Sequence, residues 1–235
     1  MSVDHLREAL GAVDWTSLAS KFLAAPDAAT RVDAAASRIA VWARQIEESD
    51  AGNPALPFVR EMQISVHNVT TLIALSLYKA APGSLRALFE NALYYSYFRT
   101  HRIELATLVR EKSFYISKSY IMDYYRDHVP DFQRKQERLG FVGAIKDWYS
   151  EVSAAVHAQK PGTWTTARSI AEIDIDPATL AHTLDQFERC VTLVDMMLKI
   201  CVAPDVWDRF STTAKRQLLK GMPGEHKALL QLDSA

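Results

Sequence analysis

Gly83-Ser84-Leu85-Arg86-Ala87-Leu88-Phe89-Glu90 is the stretch on which the fold turns. Leu85, Leu88 and Phe89 recur at spacings of three and four and continue into Leu93 and Tyr97, the mark of a helix with an apolar face. Arg86 and Glu90 break that face. Four residues apart, they lie about 40° from each other on one side of the helix, so the pair is expected to point inward with its apolar neighbours. Dehydrating two charges then requires mutual pairing and further hydrogen bonds. Two readings follow. Either the pair is a buried clamp, whose loss in Arg86→Ala would cost about 3–5 kcal/mol, or Arg86 binds an anion that Glu90 orients.

The rest of the chain repeats the helical spacing. Val59, Met62, Val66, Val69, Ile73 and Leu77 keep it from Leu56 to Ala80, and Ala81-Pro82-Gly83-Ser84 then reads as a tight turn into the next helix. A single helix from Ser84 to His128 would run close to 70 Å. A break is therefore predicted near Thr100-His101-Arg102, and Pro130 ends the segment. Further helices are predicted near 3–12, 27–49, 141–158, 177–202 and 205–220, with a short terminal helix after Gly221-Met222-Pro223-Gly224 and a loop over 164–176. The expected architecture is all-α. It comprises an N-terminal helical hairpin (1–52), a central helical bundle (53–203) and a C-terminal helical extension (204–235).

Composition narrows the function classes. With 235 residues, 49% of them hydrophobic, the chain can bury a substantial core. The 27 basic and 28 acidic residues nearly cancel, so any polyanion would be held by a local patch and not by a global field. Cys190 and Cys201, eleven residues apart on one predicted helix, lie roughly 16 Å from each other, too far for a disulfide. No run approaches the eighteen or so apolar residues of a membrane span, and the N-terminus lacks a secretory pattern. A cytoplasmic protein without membrane partners is the expectation. Phosphate-loop and dinucleotide glycine patterns, Cys-x-x-Cys, His-Glu-x-x-His and the Glu-x-x-His pairs of di-iron bundles are missing from the sequence. No metal and no cofactor is expected.

Three groups of residues remain as candidates for chemistry. Counted from a turn at Pro82-Gly83, His67 comes level with Tyr97, His101 lies one turn further along, and Arg60 comes level with Glu104, so these five can form one cluster. By the same count Arg86 and Glu90 stand apart from His67. Tyr149, Ser153 and His157 fall one turn apart on a single helix face. There His157 serves either as partner of the helix C-terminal dipole or, with Ser153, as base and nucleophile. Between Arg110 and His128, basic Lys112, Lys118 and Arg126 interleave with tyrosines. Such a segment suits phosphates and stacked bases, or is simply an amphipathic stripe on Phe114, Ile121 and Tyr125.

The pattern His67-x-x-x-Thr71, then Ser84-Leu85-Arg86-Ala87-Leu88-Phe89-Glu90, then Tyr149-x-x-x-Ser153-x-x-x-His157 resembles a broad group of bacterial helical proteins. That group is similar to the HEPN superfamily (higher eukaryotes and prokaryotes nucleotide-binding), and the resemblance covers roughly residues 58–160. It implies a helical bundle, often a homodimer, in a bacterial defence or toxin system, acting on RNA or on a protein partner. It also implies metal-independent RNA cleavage by an arginine and a histidine separated by four to six residues, a spacing that Arg60 and His67 satisfy. On that reading His67 moves the proton and Arg60 stabilises phosphate charge, while Arg86, Glu90, Tyr97, His101, Ser153 and His157 are candidate ligand or anion contacts. The alternative is a non-catalytic helical binding or sensor module.

Overall fold

In a computed structural model that describes residues 3–164 and 167–233, the stretch from Ala81 to Phe98 forms a helix enclosed by others. In chain order the helices are α1 (Val3–Gly11), α2 (Trp15–Leu23), α3 (Pro26–Ser49), α4 (Leu56–Ala74), α5 (Ala81–Phe98), α6 (Arg102–Arg110) and α7 (Lys118–His128). They continue as α8 (Phe132–Leu139), α9 (Phe141–Val156), α10 (Pro177–Cys201), α11 (Ala203–Val206), α12 (Thr212–Leu219) and α13 (Gly224–Leu230). Among the described residues there is no strand, and no helix is long and apolar enough to cross a membrane.

Helix α5 is the hub. It packs against α4, α10 and α9 and also touches α6 and α7, while α3 and α10 close the bundle on the other side of α4. Leu85, Leu88, Phe89, Ala92, Leu93, Tyr95 and Phe98 bury nearly the whole circumference of α5, as a helix surrounded by partners must. One side stays half-exposed, with Ser84, Ala87 and Asn91 beside a seam of Arg86, Glu90 and Tyr94, four residues apart in turn. One continuous apolar cluster runs from Phe22 to Leu232, so α3 and the last helices share the core of the middle of the chain.

Several boundaries differ from the sequence expectation for identifiable reasons. The chain does not turn at Pro82-Gly83. Pro82 lies in the first turn of α5, where its missing N–H costs nothing. The reversal falls instead at Ser76, which has φ 57°, and at the 3-10 turn Tyr78–Ala80. Helix α2 was not expected, and Asp14 starts it by accepting from Ser17 N–H. Helix α8 was also missed; it is bounded by left-handed Asp131 (φ 58°) and Gly140 (φ 63°), the latter joining it directly to α9. The helix expected over 205–220 is split by extended Phe210, after which the Ser211 side chain caps α12.

The charges buried most deeply are not Arg86 and Glu90. Arg99 is 7% exposed and holds Asp50 (3.3 Å) and Asp205, tying the end of α5 to the α3–α4 turn and to α11. Lys199, 1% exposed, donates to Asp195 (2.6 Å) and to the Leu218 carbonyl (2.7 Å). Leu218 O is one of the unpaired carbonyls at the end of α12, so Lys199 serves as its cap.

Candidate functional site

The half-exposed seam of α5 is where polar side chains converge. Arg86 Nε donates to Glu90 Oε1 at 2.8 Å, and the Tyr149 hydroxyl donates to the same oxygen at 2.5 Å. Arg86 Nη1 lies 3.2 Å from His157 Nε2. A guanidinium has no acceptor, so Nε2 must accept here and is unprotonated in this contact. The result is a chain of hydrogen bonds, His157 to Arg86 to Glu90 to Tyr149, across α5 and the end of α9. Lys118 completes it from α7, its Nζ standing 3.7 Å above the Tyr149 ring, while the Arg86 guanidinium lies 5.2 Å from the same ring.

Local structure explains each placement. Ser117 caps α7 by accepting from Tyr120 N–H, which fixes Lys118 in the first turn. Tyr94, next on the α5 seam, donates to the Ile116 carbonyl and draws the incoming loop onto α5. On α9, Phe89 packs against Trp148 and Tyr149. The α9 terminus is held by Lys79, whose Nζ donates to the Ala155 carbonyl. With that capping role taken by Lys79, His157 just beyond the helix is left to face Arg86.

The electrostatics are those of a partly dried, mainly cationic site. Burial holds Lys118 below the ordinary lysine range; the Arg86 charge lowers it further and Glu90 opposes this. The hydrogen bond to Glu90 raises Arg86. Burial, then the bond to Glu90, pushes Tyr149 up to about 12, so it stays a neutral donor at working pH. The Arg86 and Glu90 side chains remain 29% and 35% exposed, which corrects the expectation of a fully buried clamp. An ion pair so open to water contributes modestly. Arg86→Ala is expected to lower stability by only about 1 kcal/mol, measured by urea unfolding.

The other candidates lie elsewhere. Phe58 packs on Tyr94 and Phe98, which fixes the level of α4 against α5. With the reversal near Ser76, Arg60 comes level with about position 95 and not with Glu104. The five-residue cluster built on the Pro82-Gly83 turn is therefore not formed. Arg60 is 64% exposed and paired with Glu47 at 3.2 Å. His67 is exposed, and among the described residues no hydrogen bond, ion pair or ring contact joins it to Arg60 or to the Arg86 group. Tyr97 is 1% exposed and stacks on His101 at 3.9 Å, with Tyr124 at the edge of both rings. Eleven residues of helix place Tyr97 roughly 16 Å from Arg86.

Ser153 Oγ is buried and makes no hydrogen bond to His157. It sits close enough to Tyr149 to favour that hydroxyl's ionised form slightly. A Ser153–His157 nucleophile and base pair is not assembled. In the basic, tyrosine-rich segment, Ile121 and Tyr125 are core residues, Arg126 is paired with Asp123 and Asp127, and only Lys118 reaches the Arg86 group. The thiols of Cys190 and Cys201 are free. Among the described residues, no three His, Cys, Asp or Glu side chains are grouped to hold a metal ion.

Lys118, and Lys79 at the end of α9, are the neighbours that sequence reasoning did not attach to this site. The only local signal was Ser117, a good N-cap just before a basic residue. Compared with known proteins, the chain matches no family model, no curated relative and no solved structure.

Proposed function

We propose that the chain cleaves single-stranded RNA without a metal ion, at the group formed by Arg86, Glu90, Lys118, Tyr149 and His157 and not at Arg60 and His67. The observation that carries this reading is the contact between Arg86 Nη1 and His157 Nε2 at 3.2 Å, beside Lys118. It sets an unprotonated imidazole nitrogen next to a phosphate-binding guanidinium.

When a phosphodiester enters, Arg86 turns its Nη1 donor to a phosphate oxygen and releases His157 Nε2. That nitrogen takes the proton of the ribose 2′-hydroxyl. The 2′-oxygen attacks phosphorus while Arg86 and Lys118 stabilise the added negative charge. The bond from phosphorus to the 5′-oxygen breaks, and Lys118 gives that oxygen a proton. The products are a 2′,3′-cyclic phosphate and a 5′-hydroxyl. His157 ends protonated and Lys118 neutral, and solvent exchange restores both. Glu90 and Tyr149 are positioning residues that hold the guanidinium.

The test is incubation of the purified chain with end-labelled single-stranded RNA in the presence of a chelator. Cleavage is expected to persist; cleavage that the chelator stops would refute a metal-free mechanism. The pH profile adds a sign. Activity should fall at alkaline pH as Lys118 loses its proton, with that limb below the ordinary lysine range. Lys118→Ala should remove that limb.

A second reading, a non-catalytic module that holds an anion, draws support from Glu90, which already satisfies both Arg86 and Tyr149. It expects RNA to bind and remain intact.

A further inference from the structure

On the far side of α10, a cleft of about 340 Å³ opens between α3, α8 and the turn that joins α12 to α13. Its polar lining is Arg38, Thr192, Lys199, Lys220 and His226, with Asp195 as its single carboxylate. The charges do not balance: Arg38, two lysines and a histidine face one acid, and Lys199 is taken up by that acid.

Asp195 is also fully engaged. It accepts from Trp42 Nε1 at 2.8 Å, Arg38 Nη1 at 3.3 Å and Lys199 Nζ at 2.6 Å. Arg38 Nη1 also reaches the Leu218 carbonyl at 3.0 Å. This network fixes the Arg38 guanidinium at the cleft wall and leaves its Nε–H and Nη2–H donors without an acceptor among the described residues. Neither Lys220 nor His226 has a side-chain partner there. A guanidinium held rigid with donors to spare is pre-organised for a bidentate oxyanion. Two further basic groups lining the same cleft, Lys220 and His226, favour a dianion over a single carboxylate.

The same cleft is also lined by apolar Leu139, Met196, Met222 and Leu230. Cleft size and mixed lining are those of small-molecule sites, typically about 300–1,000 Å³. We propose that this cleft binds a small organic phosphate monoester, its phosphate on Arg38, Lys220 and His226 and its body against the two methionines. The site is separate from the Arg86 group and does not depend on the ribonuclease reading.

The experiment is isothermal titration of the full chain with adenosine monophosphate, inorganic phosphate and adenosine. The nucleotide should bind with a dissociation constant below about 1 mM, phosphate alone more weakly, and adenosine not measurably. The double variant Lys220→Ala/His226→Ala changes two groups outside the Asp195 network and is expected to fold. It should weaken nucleotide binding roughly tenfold or more, while Arg86→Ala leaves it unchanged. Absence of binding by nucleotide and phosphate at about 10 mM would overturn the proposal. So would a double variant that binds like the parent, or binding that disappears with Arg86→Ala. Phosphate binding as tightly as the nucleotide would overturn the organic body.

Discussion

His157→Ala is expected to lower RNA cleavage by a factor on the order of 10²–10⁴, with the unfolding transition unchanged. The imidazole lies on the surface beyond the end of α9, and among the described residues its side-chain hydrogen bond is with Arg86. Removing it uncovers no core and strands no buried charge, because Arg86 keeps Glu90 at 2.8 Å. Stability should therefore hardly move while proton transfer is lost. His67→Ala, on the exposed face of α4, should leave both quantities as they are. Cleavage rates of the two variants beside the parent, with melting curves for each, check the contrast. The ordering would be reversed if the arginine and histidine chosen by spacing alone were the reacting pair.

Arg99→Ala carries the largest expected loss of stability, about 3 kcal/mol or more. Arg99 is 7% exposed and Asp50 is 16% exposed. Without the guanidinium, Asp50 remains a dehydrated carboxylate whose other partners are the Tyr95 hydroxyl at 2.8 Å and Asn53 Nδ2 at 3.0 Å, neither of them charged. Asp205 is 59% exposed and can return to water, which keeps the loss near the low end for breaking a buried pair. In a chain of this length such a loss corresponds to roughly 6–12 °C in melting temperature. Differential scanning calorimetry of Arg99→Ala beside Arg86→Ala separates the buried cation from the half-exposed one. Equal, small shifts in both would show that Arg99 does not clamp the end of α5.

The contrast between those two arginines shows what the chain discloses locally. Apolar spacing of three and four announced α4, α5, α9 and α10, because that period follows from helix geometry alone. It also put Arg86 and Glu90 on one face and Tyr149 and His157 on another. It could not say which side of α5 its neighbours leave uncovered, since that depends on where α7 and α9 pack. The expected turn at Pro82-Gly83 carried the level of α4 against α5 with it. A proline inside the first turn of α5 and a reversal at Ser76 displaced Arg60 and His67 from the residues they were expected to meet. Arg99 was passed over because its partners Asp50 and Asp205 are 49 and 106 residues away. Lys118 arrives by the same kind of distant contact, 31 residues along the chain from Tyr149 but over its ring.

The measurement closest to the central claim is the chemistry of the cut ends. An end-labelled RNA oligonucleotide is incubated with the parent chain in chelator, beside the same oligonucleotide carrying a 2′-deoxy sugar at the cleavage position. Proton abstraction by His157 at the Arg86 group expects 2′,3′-cyclic phosphate and 5′-hydroxyl ends, and no cut at the deoxy position. Ends bearing 3′-hydroxyl and 5′-phosphate, or equal cutting of the deoxy substrate, would contradict it.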